Sequence, residues 1–197
     1  GDFLVNQGLV DPQTHKALNA LFYRQYQEGQ LDIDEYLSFA LGPMAGMTPE
    51  SLSALHRIFV KEHIEPILLD RAFDLIQEHR INGDTIVIIT ATNTLVTRPI
   101  ADRLGVEHLI GCEAEIKNGH FTGKPSGTPS FAEGKVIRIK DWCETQGQSM
   151  EGAVFYSDSH NDLPLLQAVY KPVAVDPDDR LKREALRNGW DIISLRD

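Results

Sequence analysis

The sequence lacks the features that mark membrane-spanning or disulfide-built proteins. No apolar run approaches the ~18 consecutive residues that span a bilayer, so we expect no membrane segment. Only two cysteines occur among 197 residues, Cys112 and Cys143, and they show no C-x-x-C spacing. This cysteine usage indicates a reducing compartment, and we therefore expect a cytoplasmic location.

Clusters of basic residues are also missing. The 19 lysines and arginines face 29 aspartates and glutamates, which gives a net charge of −10. Neither a nucleic acid nor an anionic membrane surface is therefore expected as a partner. The densest basic stretch, "RLKREALR" (180–187), spaces its apolar residues at helical intervals and is interpreted as a solvated helix face. The sequence does not set the oligomeric state.

Several common catalytic motifs are absent as well. The seven histidines include no H-E-x-x-H pair, and no G-x-S-x-G elbow occurs. A calcium loop starting at Asp158 is excluded, because Leu163 and Val169 stand where Gly and Glu are required. His160, beside Asp158, is interpreted either as an ordinary buried or surface histidine or as part of the mouth of a site.

Residues 1–65 are predicted to be all-helical. The stretch "TPESLSALHRIFVKEHI" places its large apolar residues roughly along one stripe, with Thr48 as N-cap and Pro49 at the first helical position. The stretch "PQTHKALNALFYRQYQEG" has the same character and ends at Gly29. We expect no strand before Pro66.

Residues 66–197 alternate between helical patterns and short apolar runs. Strands are predicted at 85–91 ("TIVIITA"), in the region 109–123, and at "AVFYSD", "PVAVDP" and "WDIISL". Continuous β-branched runs separated by helices are typical of a parallel sheet covered on both faces. The Asn118-Gly119 pair predicts a tight hairpin turn within 109–123. The fold expected is α/β, with a doubly wound parallel sheet.

Polar residues fall at or near the ends of these strands, where ligands bind in open parallel sheets. Asp158 and Asp162 follow one strand, Thr90 ends another, and Lys135 opens a helix. Each residue alone is compatible with a structural role. Together, a hydroxyl, an ammonium and a Mg²⁺ ion on a carboxylate would neutralise the oxygens of a phosphoryl group, which is the main requirement of phosphoryl transfer.

These stretches together resemble the motifs of the haloacid-dehalogenase superfamily, in particular its phosphoserine-phosphatase-like branch. "TIVIITAT" resembles the second motif, "EGKVIRI" the third and "VFYSDSHNDLPLL" the fourth. The resemblance implies a Rossmann-like α/β core with a small all-helical cap. We accordingly expect two domains, a cap over residues 1–65 and a core over residues 66–197.

The resemblance also implies a function and site roles. The protein would be a Mg²⁺-dependent phosphomonoester hydrolase that acts on a small phosphorylated metabolite through an aspartyl-phosphate intermediate. Asp158 would bind Mg²⁺, and Thr90, Lys135 and Asp162 would be catalytic, with Asp162 holding the lysine. The residues expected to contact the substrate are Thr90, Ala91, Lys135 and Asn161. Two alternatives are a non-catalytic phosphate-binding or regulatory domain, and phosphotransfer to an acceptor other than water.

One motif of the family is absent from this sequence. No D-x-D-x-T occurs, although in the family this motif carries the aspartate nucleophile on a central strand. A sheet without that strand would leave several backbone groups unpaired, at ~1–3 kcal/mol each. We therefore expect the natural protein to begin roughly 20 residues before Gly1, with the first strand and the nucleophile in that segment.

The substrate expected from the family's best-known members is disfavoured. Phosphoserine phosphatases carry a cap arginine that binds the substrate carboxylate, and ungapped matching places Ala40 at that position. Phosphorylated amino alcohols such as histidinol phosphate, sugar phosphates and nucleotides stay open as substrates. We expect the cap, within residues 31–56, to determine the choice among them.

Overall fold

The computed structural model describes residues 1–196. Within this range the helices are α1 (Asp2–Asn6), α2 (Pro12–Glu28), α3 (Ile33–Leu41), α4 (Pro49–Phe59), α5 (Asp70–Ile81), α6 (Thr94–Arg103), α7 (Glu133–Gln146), α8 (Leu163–Leu166) and α9 (Asp179–Asn188). The strands are β1 (Val87–Asn93), β2 (His108–Lys117), β3 (His120–Ser126), β4 (Val154–Ser157), β5 (Lys171–Val175) and β6 (Asp191–Ile193). None of the helices in this range is long and apolar enough to cross a membrane.

The N-terminal region is helical because its helix ends are well capped. The Asp11 side chain accepts a hydrogen bond from the Thr14 amide at the start of α2, and Gly29 ends this helix in the left-handed conformation. Thr48 and Ser51 form a reciprocal capping box at the start of α4. Described residues 1–65 contain no strand, as the sequence predicted.

Contacts divide the chain into two compact units. The first unit comprises Gly1–Leu68, Thr92–Gly105 and Gly111–Pro129. The second comprises Leu69–Ala91, Val106–Ile110 and the described residues from Ser130 onward. The core of the first unit contains two apolar clusters, one around Leu37, Leu41 and Cys112 and one around Met44, Leu52 and Phe121.

Strands β1, β2 and β3 form one sheet in that order. Strands β2 and β3 pair antiparallel, with Lys117 opposite His120. The two residues between them, Asn118 and Gly119, have φ angles of 52° and 78°. Positive φ at both positions is what a two-residue hairpin turn of the primed type requires, so the predicted hairpin is confirmed.

The second sheet, in the second unit, is parallel. Its order is β4-β5-β6, with Val154 opposite Lys171 and Val173 opposite Asp191. Helices α8 and α9 cover it through a cluster of fully buried residues that includes Leu166, Ala174 and Leu181. The mixed α/β fold with a parallel sheet and intervening helices agrees with the predicted fold class.

The burial predicted for β1 was wrong. The continuous apolar run 85–91 indicated a strand covered on both faces, but residues 86–91 are only half-buried and residue 85 is exposed. The physical reason is position in the sheet. Among the described residues, β1 is at one end of the sheet β1-β2-β3 and pairs on one side only. Strand β4 is likewise at the end of its sheet.

Gly111 of β2 allows the close approach of the end of β1 and the start of α6. A Cβ atom at this position would lie 2.9 Å from Thr94 Cγ2 and 3.0 Å from the Thr92 carbonyl oxygen. We expect Gly111→Ala to lower the free energy of unfolding by about 1–3 kcal/mol, because the clash involves backbone that must shift. Urea unfolding measures this change.

Gly42→Ala is the matched control for that substitution. Gly42 has a helical φ of −48°, and no atom lies within 4 Å of its built Cβ. This variant should keep the stability of the natural protein or gain slightly. Equal stability of the two alanine variants would contradict the proposed role of Gly111.

Candidate active site

The residues predicted to bind Mg²⁺ and the phosphoryl group all lie in the second unit. Thr90 and Ala91 are half-buried in β1, and Lys135 is the third residue of α7. Asp158 follows the last residue of β4 directly. Asn161 and Asp162 belong to the short 3₁₀ turn that comes next.

A buried ion pair connects α7 to this turn. Lys135 Nζ lies 2.6 Å from Asp162 Oδ1, and the two residues are only 5% and 7% exposed. Ser157 Oγ donates a hydrogen bond of 2.7 Å to the other carboxylate oxygen, Oδ2. The Lys135 ammonium also lies 5.9 Å from the centroid of the Phe155 ring. Both oxygens of Asp162 are therefore occupied, which fixes the position of the ammonium group.

Asp158 differs from Asp162 in its surroundings. Its side chain is exposed, and within residues 1–196 its carboxylate has no hydrogen-bond or ion-pair partner. Its backbone carbonyl, in contrast, accepts a hydrogen bond of 2.9 Å from the Asp178 amide. The main chain is thus held while the carboxylate stays available to a ligand.

The oxygen donors at this position are compatible with Mg²⁺. The described residues contain no group of three or more His, Cys, Asp or Glu side chains that could enclose a metal ion. Mg²⁺ does not require such a group, since it commonly uses one or two carboxylates and completes its shell with water and phosphate oxygens. Asp158 can supply one such carboxylate, whereas Asp162 is engaged by Lys135 and Ser157.

The structure adds Asp178 and Arg180, which were not predicted from the sequence, as partners of His160. Asp178 Oδ2 accepts hydrogen bonds from the His160 backbone amide at 2.7 Å and from its ring Nδ1 at 2.8 Å. Arg180 Nη1 lies 3.1 Å from His160 Nε2. Because a guanidinium can only donate, Nε2 accepts and the ring proton resides on Nδ1.

His160 is consequently a positioning residue for the turn. It is 8% exposed and held on both sides of its ring, so its environment is that of a buried histidine and not of an open mouth. The sequence held one signal for Asp178: a "DPDD" run after a strand is a common helix start. Asp178 indeed caps α9 by accepting from the Arg180 and Leu181 amides.

The hydrogen bonds to Asp178 also determine its protonation. Burial acts to raise the pKa of this carboxyl group. The hydrogen bonds from the backbone amides of Leu181 and His160, and from the His160 ring, outweigh burial and hold the pKa below its ordinary value. Asp178 is therefore an ionised acceptor at neutral pH.

Asn161 is buried within the same turn. Its backbone amide donates to Ser159 Oγ at 3.2 Å, and its side-chain Nδ2 lies 3.4 Å from the same oxygen. The structure thus connects Lys135, Asp162 and Asn161 through hydrogen bonds of Ser157 and Ser159, and Asp158 lies between these two serines in the chain. Thr90 and Ala91 are placed on a separate strand, β1.

Comparison with known proteins gives the family. The family model described as haloacid dehalogenase-like hydrolase matches residues 2–167. A histidinol-phosphatase of Neisseria meningitidis serogroup C (strain 8013) is 40% identical over 98% of this chain and 89% of the relative. Phosphoserine phosphatase SerB1 of Mycobacterium tuberculosis (strain ATCC 25618 / H37Rv) is 34% identical over 80% of this chain, which spans about half, 51%, of that relative.

Solved structures agree with this assignment. A crystal structure of a protein of unknown function from Bordetella pertussis Tohama I is 39% identical, with a TM-score of 0.91 over 98% of this chain and 89% of that one. A phospho-aspartyl intermediate analogue of phosphoserine phosphatase is 17% identical, with a TM-score of 0.64 over 90% of this chain and 79% of that one, and shows the same fold. The chain belongs to the haloacid dehalogenase-like hydrolase family, and it is a phosphatase.

Proposed function

We propose that this protein is a Mg²⁺-dependent phosphomonoesterase that hydrolyses a small phosphorylated metabolite through an aspartyl-phosphate intermediate. The observation that carries the proposal is the buried Lys135–Asp162 ion pair in the turn next to the open Asp158 carboxylate. An ammonium group has three N–H donors, and Asp162 occupies one of them. The others would neutralise the oxygens of a phosphoryl group.

Each remaining site residue has a separate task in this proposal. The Thr90 hydroxyl and the Asn161 amide would donate hydrogen bonds to the phosphoryl oxygens, with Ala91 beside Thr90 completing the substrate contact. Asp162 would keep the Lys135 ammonium oriented throughout the reaction. Asp158 would hold Mg²⁺, which would supply positive charge to the phosphoryl group.

Residues 1–197 contain no sequence motif that identifies the nucleophile. The sequence contains no D-x-D-x-T, the motif that carries the aspartate nucleophile in the family this chain resembles. The alternative of a non-catalytic domain is set aside, because relatives over most of this chain are named as phosphatases.

For the substrate we propose histidinol phosphate in preference to phosphoserine. The histidinol-phosphatase relative matches almost the whole chain, while the phosphoserine phosphatase matches a smaller part at lower identity. Ala40 lines a cavity in the first unit whose described lining contains no lysine or arginine side chain. That lining therefore offers no side-chain ammonium or guanidinium group for the carboxylate of phosphoserine.

A cytoplasmic location remains our proposal, supported by Cys112 and Cys143, neither of which is in a disulfide.

Asp158→Asn should abolish Mg²⁺-dependent activity and leave the fold intact. The substitution removes the charge that would bind the cation but keeps the size of an exposed side chain. Phosphate release from p-nitrophenyl phosphate, with and without Mg²⁺, measures the effect in the full-length protein. Asp179→Asn, at an exposed position on α9, is the matched control and should retain activity. Full activity of Asp158→Asn would contradict the metal assignment.

Lys135→Ala should reduce turnover on the order of 10²-fold or more, because the group that neutralises the phosphoryl oxygens is lost. It should also destabilise the fold by about 3–5 kcal/mol, since a buried Asp162 carboxylate loses its partner. The double variant Lys135→Ala/Asp162→Asn removes both charges. It should recover much of the stability but none of the activity.

These two readouts separate catalysis from folding. Turnover is measured at saturating substrate, and stability by urea unfolding of the same preparations. If the double variant regained both stability and turnover, Lys135 would be a structural residue only.

Phosphoserine should be a poor substrate and histidinol phosphate a good one. A panel that also includes sugar phosphates and nucleotides, assayed by phosphate release, ranks them by kcat/KM. Substitutions within residues 31–56 should change this ranking more than they change the hydrolysis of a generic aryl phosphate. Phosphoserine as the best substrate of the panel would contradict the interpretation of Ala40.

A further inference from the structure

Ala132 has a backbone conformation that residues with a side chain rarely adopt. Its φ is 47° and its ψ is −123°. The Gly134 amide donates a hydrogen bond of 2.8 Å to the Phe131 carbonyl, which closes a β-turn over residues 131–134. The angles of Ala132 are those of the first central residue of a type II′ turn, a position that glycine usually occupies because it lacks a Cβ. The backbone at Ala132 is therefore strained.

This turn is also the start of α7. Ala132 is the N-cap of that helix, and an alanine side chain has no oxygen that could accept from the first helical amides. Helices α2, α3, α4, α6 and α9 begin instead at Asp, Thr or Asn side chains that accept such hydrogen bonds. At the start of α7 the backbone of the turn takes the place of a capping side chain.

Lys135 follows directly after the turn. Its amide donates a hydrogen bond of 3.1 Å to the Ala132 carbonyl, so the strained residue and the lysine are joined through the main chain. The Lys135 side chain is buried, and its ammonium group lies 2.6 Å from Asp162 Oδ1. On the other side of Ala132, Ser130 is fully buried. A change of the backbone at Ala132 would therefore be transmitted to the position of the lysine.

The alanine at this position has a cost and a possible use. Glycine populates positive φ broadly, whereas a Cβ leaves only small areas of positive φ free of clashes. Where the neighbouring residues enforce a positive φ, alanine consequently keeps the turn within a narrower range of geometries than glycine would. Strained backbone of this kind is concentrated at functional sites, where it is part of the mechanism.

We propose that Ala132 is a positioning residue for Lys135, because its strained turn fixes the start of α7 and thereby holds the lysine ammonium beside Asp162. This inference rests on the role of Lys135 in the proposed phosphatase reaction. It adds a residue whose side chain has no polar atom and which acts on the site through the main chain.

Ala132→Gly separates positioning from folding, because its two effects have opposite signs. Removal of the Cβ relieves the strain, so the urea midpoint of unfolding should stay the same or rise. The start of α7 gains freedom, so turnover of p-nitrophenyl phosphate at saturating substrate should fall about three- to tenfold, less than the ~10²-fold that a displacement of about 1 Å can cost. A residue with a structural role only would change stability and turnover in the same direction.

Two further variants serve as controls. Ala132→Ser keeps the Cβ and should keep turnover close to that of the natural protein. Asn118→Gly removes the Cβ at another positive φ, 52°, in the hairpin between β2 and β3, and should leave turnover unchanged. In an active protein, unchanged turnover of Ala132→Gly would overturn the proposal, and so would a joint loss of turnover and stability.

The ammonium group gives a readout that does not depend on turnover. In the full-length protein labelled with ¹⁵N-lysine, the buried Lys135 ammonium should exchange slowly with water and give a resolved NMR signal, assigned by its loss in Lys135→Arg. Ala132→Gly should broaden that signal, and Asn118→Gly should not. A natural protein without a resolved Lys135 signal, or a signal that Ala132→Gly leaves unchanged, would contradict the positioning role.

The same signal distinguishes this inference from the proposed function. If the natural protein released no phosphate while Ala132→Gly still broadened the Lys135 signal, the phosphatase proposal would be wrong and the positioning of the lysine by Ala132 would be supported.

Discussion

The second unit depends on one buried ion pair, that between Lys135 and Asp162. Two opposite charges removed from water are stable only when their geometry is close and their remaining polar atoms are occupied. The distance of 2.6 Å and the hydrogen bond from Ser157 meet these conditions. The pair also connects the first turn of α7 to the turn after β4. It forms only when these two segments are correctly folded, and it then orients the ammonium group.

A second network, made of hydrogen bonds to Asp178, holds the main chain of Asp158, whose carboxylate is exposed. Asp178 caps α9, binds the His160 backbone and ring, and donates its own amide to the carbonyl of Asp158. Backbone amides fix the chain in this arrangement, so the Asp158 side chain needs no partner of its own to be positioned. Fixed main chain with a free carboxylate is the arrangement that a hydrated cation such as Mg²⁺ can use.

The core of the first unit is apolar and aromatic. Its apolar clusters and stacked rings line a cavity, and burial lowers the pKa of His15 and His56 in that lining.

The sequence by itself determined much of the local structure and predicted a set of site residues. The Asn118-Gly119 turn, the Thr48 cap and the periodicity of the helices depend on neighbours in the chain, so they were predictable. The order of Thr90, Lys135 and Asp158 along the chain was sufficient to indicate a phosphatase. Only the tertiary structure decided which polar groups meet, since the Asp178–His160–Arg180 contacts and the Ser157 hydrogen bond to Asp162 depend on the three-dimensional path of the turn. It also decided that β1 is half-buried, because burial depends on which strands lie beside it and not on its own apolar residues.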